Sequence, residues 1–299
     1  MTLLFLILGV AALYFGAEWL VVGASRIALA LNVTPLVIGL TVVACGTSMP
    51  ELVIGGQAAW NGSTDIALGN VVGSNIANLG LILGLSALIR AIPCNREIFR
   101  RELPLMLFAS VLVYALAATG VISRLWGFLF MGGLIAFIWA TLRFARRERS
   151  PRKTPDLAGM ELDPAADVKM GVEIMRAIAG LVALVVGAQL LVDAAIELAL
   201  DFGVPEFLVA ASAVALGTSL PELATSLVAA VRGEADVLVG NIVGSNVFNL
   251  LGGLGIAAAI EPVPVSQDVL SFDLPVMLLI TVAATIALYT YGRIQRWEG

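Results

Sequence analysis

Nine long apolar stretches dominate this sequence, and each is long enough to cross a bilayer, which takes about 20 apolar residues in a helix. They lie at about 3–25, 33–60, 65–89, 103–120, 122–145, 171–200, 205–231, 236–260 and 269–291. The chain is 60% hydrophobic and 13% charged, and its mean hydropathy is +0.98. Soluble domains carry about twice that share of charge. Because β-barrel strands would be shorter and alternating, the pattern predicts an all-α polytopic membrane protein.

Composition also excludes several kinds of chemistry. The sequence contains no histidine, which removes His-ligated zinc, Ser-His or Cys-His catalysis and histidine proton relays. Cys45 and Cys94 lack the spacing of metal ligands. No basic stripe suggests nucleic-acid binding. We expect no enzyme activity, no cofactor and no obligate protein partner, and the lipid bilayer as the surroundings.

A polar segment divides the chain into two halves. Residues 146–170 are rich in charge and proline, so we interpret them as a linker between residues 1–145, with five helices, and residues 171–299, with four. With the N-terminus outside, 16 of the 17 Lys and Arg residues fall on the inner side and only Arg124 falls outside. The positive-inside rule then predicts a plasma (inner) membrane protein with its N-terminus outside and its linker cytoplasmic.

The two halves are copies of one another. CGTSMPEL at 45–52 matches LGTSLPEL at 216–223, and GNVVGSNIANL at 69–79 matches GNIVGSNVFNL at 240–250. One offset of 171 residues gives 20 identities in 37 positions over residues 43–79, without a gap. Because five helices precede the second copy, it crosses the membrane in the opposite sense. Inverted repeats of this kind are typical of secondary transporters, which bind their substrate between the repeats near the midplane.

The first motif places a carboxylate directly after a proline inside each copy. Pro50 and Pro221 cannot continue the helical hydrogen bonding, so they predict a kink that frees backbone carbonyls. Glu51 and Glu222 follow them at membrane depth, where an ionised carboxylate is costly. The apolar centres of the helices contain no Lys or Arg. The counter-charge must therefore be a bound cation or protons.

Neutral oxygens surround these two glutamates in the sequence. The hydroxyl and amide side chains that we select as candidate ligands are Thr47, Ser48, Ser74, Asn78, Thr218, Ser219, Ser245 and Asn249. Together with the carboxylates and freed carbonyls they form an all-oxygen set. Such hard ligands suit calcium, sodium or magnesium better than soft transition metals.

The paired motifs resemble a known family. GTSMPEL…GNVVGSNIANLGLILG and GTSLPEL…GNIVGSNVFNLLGGLG are similar to the alpha-repeats of sodium/calcium exchangers, in the calcium/cation antiporter superfamily. The likeness is greatest to the compact prokaryotic members. It implies a secondary active antiporter that exchanges sodium for calcium by alternating access. It also implies a ten-helix fold of two five-helix inverted repeats, in which the first and sixth helices, with Gly16 and Gly187, slide.

The resemblance also implies roles for individual residues. Glu51 and Glu222 would be ligands shared by calcium and sodium, and Ala44 and Ala215 would offer backbone carbonyls. The hydroxyl residues Thr47, Ser48, Ser74, Thr218, Ser219 and Ser245 would be further donors. The amides Asn78 and Asn249 would line the central site.

Two departures from the family pattern are visible. Potassium-dependent relatives carry Asp at the position of Asn249, so the asparagine predicts independence of potassium. The apolar stretches number nine, whereas the family has ten helices, so we expect the tenth helix to be missing from this sequence.

Other functions remain open from the residues alone. The nearest alternative is a proton/calcium exchanger, in which protons neutralise the glutamates, and dependence of calcium flux on sodium would separate the two. An intramembrane enzyme with an acid pair fits less well, because the sequence lacks catalytic motifs such as GxGD or HExxH. A cation channel also fits less well, because it would not require inverted repeats with a sealed site at the midplane.

Overall fold

A computed structural model describes residues 2–93, 98–147, 169–204, 217–291 and 293–294, and these residues are almost entirely helical. The helices of the first half are α1 (Thr2–Leu31), α2 (Pro35–Ile38), α3 (Ala44–Thr47), α4 (Met49–Trp60), α5 (Thr64–Ile76), α6 (Leu83–Ile89), α7 (Glu102–Ala117) and α8 (Arg124–Arg147). Two π-helical turns, Gly39–Val43 and Ala77–Ile82, join α2 to α3 and α5 to α6 without interrupting the helix.

The second half repeats this order. Its helices are α9 (Met170–Asp201), α10 (Leu220–Arg232), α11 (Ala235–Val247), α12 (Leu254–Ile260) and α13 (Leu274–Tyr291). A π-helical turn at Phe248–Gly253 joins α11 to α12, and another at Val269–Asp273 precedes α13. The turn at Phe248–Gly253 is the counterpart of Ala77–Ile82, because the two ranges differ by the repeat offset of 171.

Length and hydropathy agree with a membrane protein. Within the described residues, six helices are long and apolar enough to cross a membrane, and the bent pair α2–α3 with α4 raises the number to seven. The shorter α7 is also apolar. The helix α10 lies in the apolar stretch at 205–231, whose first part is outside the described residues. The prediction of an all-α polytopic membrane fold is confirmed.

Short strand pairs join distant connections at the two ends of the helices. The strand β1 (Ile92–Pro93) pairs with β4 (Arg293–Ile294), and β2 (Val121–Ile122) pairs with β3 (Val263–Pro264). The first pair follows the third and ninth apolar stretches, and the second pair follows the fourth and eighth. An even number of stretches separates the partners in each case. Both pairings therefore fit a chain in which every stretch crosses once.

Ion pairs also connect distant parts of the chain at each end of the helices. Arg26, near the end of α1, binds Glu173 at the start of α9, with 2.9 Å between nitrogen and oxygen. At the opposite end Arg124 binds Glu261 at 3.0 Å. We call the end with Arg26, β1 and β4 the Arg26 face, and the end with Trp60, β2 and β3 the Trp60 face.

Helices α1 and α9 contact each other through glycines along an antiparallel interface. A Cβ atom on Gly16 would lie 2.9 Å from the carbonyl oxygen of Gly180, and one on Gly187 would lie 3.0 Å from that of Gly9. Residues 9 and 16 match residues 180 and 187 at the repeat offset, so one contact occurs twice with the roles exchanged. Two-fold symmetric interfaces have this property. The family resemblance implied that the helices of Gly16 and Gly187 form a pair, and these two helices are in contact.

Candidate ion-binding site

A bend interrupts the second apolar stretch beside the first glutamate. The helix axis turns by 45° between residues 35–47 and 49–60. Ser48, at the break, has φ −82° and ψ 2°, and Ser219 in the second copy has φ −87° and ψ 2°. Each proline then occupies the second position of the helix that follows, where its missing N–H costs no helical hydrogen bond. The predicted kink is present in the first copy, and Ser219 has matching torsions.

Both glutamates are buried, and each is held by a serine of the other repeat. Glu51 is 1% exposed and Glu222 is 0% exposed. The Ser48 hydroxyl donates to Glu222 Oε1 at 2.9 Å, and the Ser219 hydroxyl donates to Glu51 Oε1 at 3.4 Å. Ser245 donates to Glu222 Oε1 at 3.5 Å. The two motifs therefore meet across the interface between the repeats.

Two asparagines that are not among the predicted ligands, Asn70 and Asn241, support this arrangement. The Thr47 hydroxyl donates to Asn241 Oδ1 at 3.1 Å, and the Thr218 hydroxyl donates to Asn70 Oδ1 at 3.4 Å. Asn70 in turn donates through Nδ2 to the backbone carbonyl of Glu51 at 3.2 Å. The sequence feature that could have identified them is their duplication at the repeat offset, in the motif GNxVGSN. The structure shows that they link the two repeats beside the glutamates.

Several buried oxygens of the predicted ligands lack a hydrogen-bond partner among the described residues. They are Glu51 Oε2, Glu222 Oε2, Ser74 Oγ, Asn78 Oδ1 and Asn249 Oδ1. Asn78 and Asn249 lie on the two matching π-helical turns. A buried polar atom without a partner is costly, and a cation ligated by these oxygens would satisfy them. The described residues contain no cluster of three or more His, Cys, Asp or Glu, so neutral oxygens must supply the other ligands.

Of the two backbone carbonyls predicted as ligands, those of Ala44 and Ala215, the structure describes only that of Ala44. The Ala44 carbonyl accepts the Ser48 amide at 3.0 Å, and the Thr47 hydroxyl lies 3.5 Å from the same oxygen. Ligation of an ion by Ala44 would therefore compete with bonds inside its own helix. Ala215 lies outside the described residues.

A cavity of about 360 Å³ leads toward this site from one face. It is bounded by α4, α9 and the residues before α10, and its lining includes Pro50, Ile54, Gln189, Asp193 and Thr218. Along α4 and α9 the lining continues from Pro50 and Val185 to Ile54 and Ile196, toward the ends of these helices at the Trp60 face. The cavity therefore extends along α4 and α9 toward the Trp60 face from Pro50 and Thr218, which belong to the same motifs as the glutamates.

The corresponding positions on the opposite side are mostly buried. Ala17, Val21 and Ser25 of α1 lie 171 positions before cavity-lining residues of α9, and all three are buried, whereas Tyr14, the counterpart of Val185, is exposed. Thr225, the counterpart of Ile54, is also buried. Nearer the Arg26 face Glu18 forms an ion pair with Arg232. Among the described residues, those that line the cavity on the Trp60 side are thus mostly more exposed than their counterparts on the Arg26 side.

Known proteins resemble this chain over nearly its whole length. The family model described as "Sodium/calcium exchanger protein" matches residues 1–143 and 173–299. The putative antiporter CaxA of Alkalimonas amylolytica is 36% identical over 98% of this chain and 91% of its own length. The sodium/calcium exchanger MaX1 of Methanosarcina acetivorans is 33% identical over 99% of this chain and 93% of its own.

A solved structure gives the same result for the fold. The sodium-calcium exchanger NCX_Mj, soaked with Na⁺ and Ca²⁺, superposes with a TM-score of 0.85 at 30% identity, covering 99% of this chain and 93% of that one. The paired motifs, the crossed hydrogen bonds between repeats and these similarities agree with one another. The chain belongs to the sodium/calcium exchanger protein family.

Proposed function

We propose that this protein is a secondary active antiporter that exchanges sodium for calcium across the membrane. The observation that carries the proposal is the pair of buried carboxylates, Glu51 and Glu222, each with one unpartnered oxygen and each held by a serine of the other repeat. Two negative charges at membrane depth need a cation, and one Ca²⁺ or two Na⁺ balances them. The sodium/calcium exchangers among its relatives support this choice of ions.

The proposed ligands are those predicted from the sequence. Glu51 and Glu222 would be shared by both ions, with oxygens of Thr47, Ser48, Ser74, Asn78, Thr218, Ser219, Ser245 and Asn249 and the carbonyls of Ala44 and Ala215. Asn70 and Asn241 would position the threonines that face them, rather than bind the ions directly. Because both ions require the same carboxylates, a site loaded with calcium excludes sodium, which couples the two fluxes.

Alternating access follows from the symmetry of the repeats. Residues of α9 line a cavity while their counterparts on α1 are mostly buried, and an exchange of these conformations would open the site to the other face. An empty site leaves two buried negative charges without a counter-ion, so the transition is favourable only when ions are bound. This condition prevents leak and enforces exchange.

We place the protein in the plasma (inner) membrane with the Arg26 face in the cytoplasm. The Lys and Arg count supports this orientation, because 16 of 17 lie in segments assigned to that side. The Trp60 face, with its cavity, would then face outward. We further propose that the protein needs no cofactor and catalyses no reaction.

Transport by purified protein in liposomes tests the proposal. Vesicles loaded with sodium and diluted into sodium-free medium with radioactive calcium should accumulate calcium, and uptake should stop when the sodium gradient is collapsed. Potassium on either side should leave the rate unchanged, because Asn249 occupies the position of the potassium-linked Asp. Uptake driven by a pH gradient but not by sodium would favour the proton-coupled alternative. Rapid calcium loss into ion-free medium would indicate a channel.

A further inference from the structure

The cavity at the Trp60 face contains a charge that the exchange reaction itself does not require. Among the described residues that line it, Asp193 is the only charged one. Its side chain is exposed, and Gln189, one helical turn earlier on α9, donates through Nε2 to Asp193 Oδ1 at 2.9 Å. The same cavity is lined by Pro50 and Thr218, which belong to the same motifs as the glutamates. An ion that reaches Glu51 and Glu222 through this cavity passes Asp193.

The position equivalent to Asp193 in the first repeat carries no charge. The counterpart of Asp193 at the repeat offset is Val22, which is 7% exposed. The counterpart of Gln189 is Glu18, whose charge is neutralised by the ion pair with Arg232. The two repeats therefore agree closely in the site itself and differ in the charge of the paths that lead to it.

We propose that Asp193, oriented by Gln189, recruits cations into the cavity at the Trp60 face and raises their concentration at the binding site from that side only. The inference rests on the proposed exchange of sodium for calcium. A fixed negative charge in a narrow cavity with low-dielectric walls concentrates cations from solution. The half-saturating concentrations of calcium and sodium are then lower at the Trp60 face than they would be without the carboxylate.

The valence of the ion determines the size of the effect. Coulomb's law in water gives roughly a fourfold increase in the local concentration of a divalent ion about 10 Å from a unit negative charge, and about a twofold increase for a monovalent ion. Removal of the charge should therefore raise the half-saturating concentration of calcium about fourfold and that of sodium about twofold. Salt should abolish the difference, because the Debye length falls to about 3 Å near 1 M ionic strength.

Asp193→Asn tests this inference, with Asp65→Asn as the matched control. Asp65 is an exposed carboxylate near the Trp60 face, at the start of α5, and is not among the residues that line the cavity. Initial exchange rates are measured in sealed vesicles of both orientations, at low ionic strength and again with concentrated choline chloride. We expect Asp193→Asn to raise the half-saturating concentrations at the Trp60 face, with the maximal rate and the values at the Arg26 face unchanged. Asp193→Glu should behave like the wild type.

Several results would overturn the inference. One is an unchanged half-saturating concentration in Asp193→Asn, and another is an equal increase in Asp65→Asn. A third is a difference that persists in concentrated salt, because that would indicate a structural effect. If Asp193→Asn does not fold, Asp193→Ser serves in the same comparison. Failure of the proposed function is distinguishable, because the wild type itself would then show no sodium-dependent calcium flux.

Discussion

Each buried glutamate depends on a hydroxyl from the opposite repeat. Ser48 donates to Glu222 and Ser219 donates to Glu51, so neither half of the chain contains a complete set of partners for its own carboxylate. One oxygen of each carboxylate also lacks a partner among the described residues. At the scale of single residues, the arrangement is one that a bound cation completes.

Neutralising either carboxylate should abolish calcium binding. Glu51→Gln and Glu222→Gln each remove one of the two charges, and loss of a buried charge partner costs about 2–5 kcal/mol, or roughly 30-fold or more in affinity. Calorimetric titration of the purified variants with calcium measures this loss. The control is Glu261→Gln, whose carboxylate is half exposed at the Trp60 face, and calcium affinity should not change in it. Wild-type affinity in either site variant would contradict the ligand assignment.

The sequence predicts the site where a signal is duplicated and chemically distinctive. Both glutamates and their hydroxyl neighbours recur at one offset inside apolar stretches, and the structure brings Ser48, Ser219 and Ser245 to them. Asn70 and Asn241 were not selected, because an amide in a membrane helix is equally consistent with simple helix–helix contact. Only their three-dimensional partners, Thr218 and Thr47, distinguish the two roles.

At the scale of elements, the sequence predicts the bend but does not predict the π-helical turns. The bend near Ser48 follows from Pro50, because a proline inside a helix interrupts the hydrogen bonds of the preceding turn. The π-helical turns at Ala77–Ile82 and Phe248–Gly253 have no comparable signature. A π-turn shifts the hydrogen-bond pattern by one residue and often occurs at functional sites, but no residue type dictates it.

The glycine contacts between α1 and α9 make a prediction at the same scale. A Cβ atom at position 16 would lie 2.8 Å from the Leu184 amide nitrogen and 2.9 Å from the Gly180 carbonyl oxygen, so the helices must separate. Overpacking of this kind costs about 1–3 kcal/mol. Gly16→Ala should therefore lower the thermal midpoint of the purified protein and slow calcium exchange.

Gly132→Ala is the matched control for that substitution. Gly132 lies on α8 and has no atom within 4 Å of a Cβ atom built on it. Alanine is the better helix former, so this variant should be at least as stable as the wild type. Equal stability and equal exchange rates in the two variants would show that the close contact of α1 with α9 is unimportant.

At the scale of the whole molecule, the inversion of the second repeat could be predicted from the sequence, because it depends only on the number of apolar stretches that precede it. Five apolar stretches precede the second copy, and an odd number reverses its direction. The match to NCX_Mj confirms the fold. The state of the two paths could not be predicted, because nothing in the sequence shows that Gln189 lines a cavity whereas its counterpart Glu18 forms an ion pair with Arg232.

The orientation of the molecule can be tested directly. We expect the linker, which apart from its ends lies outside the described residues, to be cytoplasmic, and the connection at Asn61 to lie outside. Single cysteines at Pro155 or Asn61, in a background lacking Cys45 and Cys94, are treated with an impermeant thiol reagent on intact cells. Only the cysteine at position 61 should react, and both should react after permeabilisation. Labelling of position 155 in intact cells would refute the assignment.

The crossed hydrogen bonds also constrain biosynthesis. Glu51 and its partner Ser219 are 168 residues apart, so the first glutamate is synthesised long before the hydroxyl that holds it. At ordinary translation rates of about 5–20 residues per second the interval is roughly 10 to 30 s. During that time the nascent protein has one carboxylate and no complete site. A chain that ends between the repeats therefore has neither Glu222 nor the hydroxyl that holds Glu51.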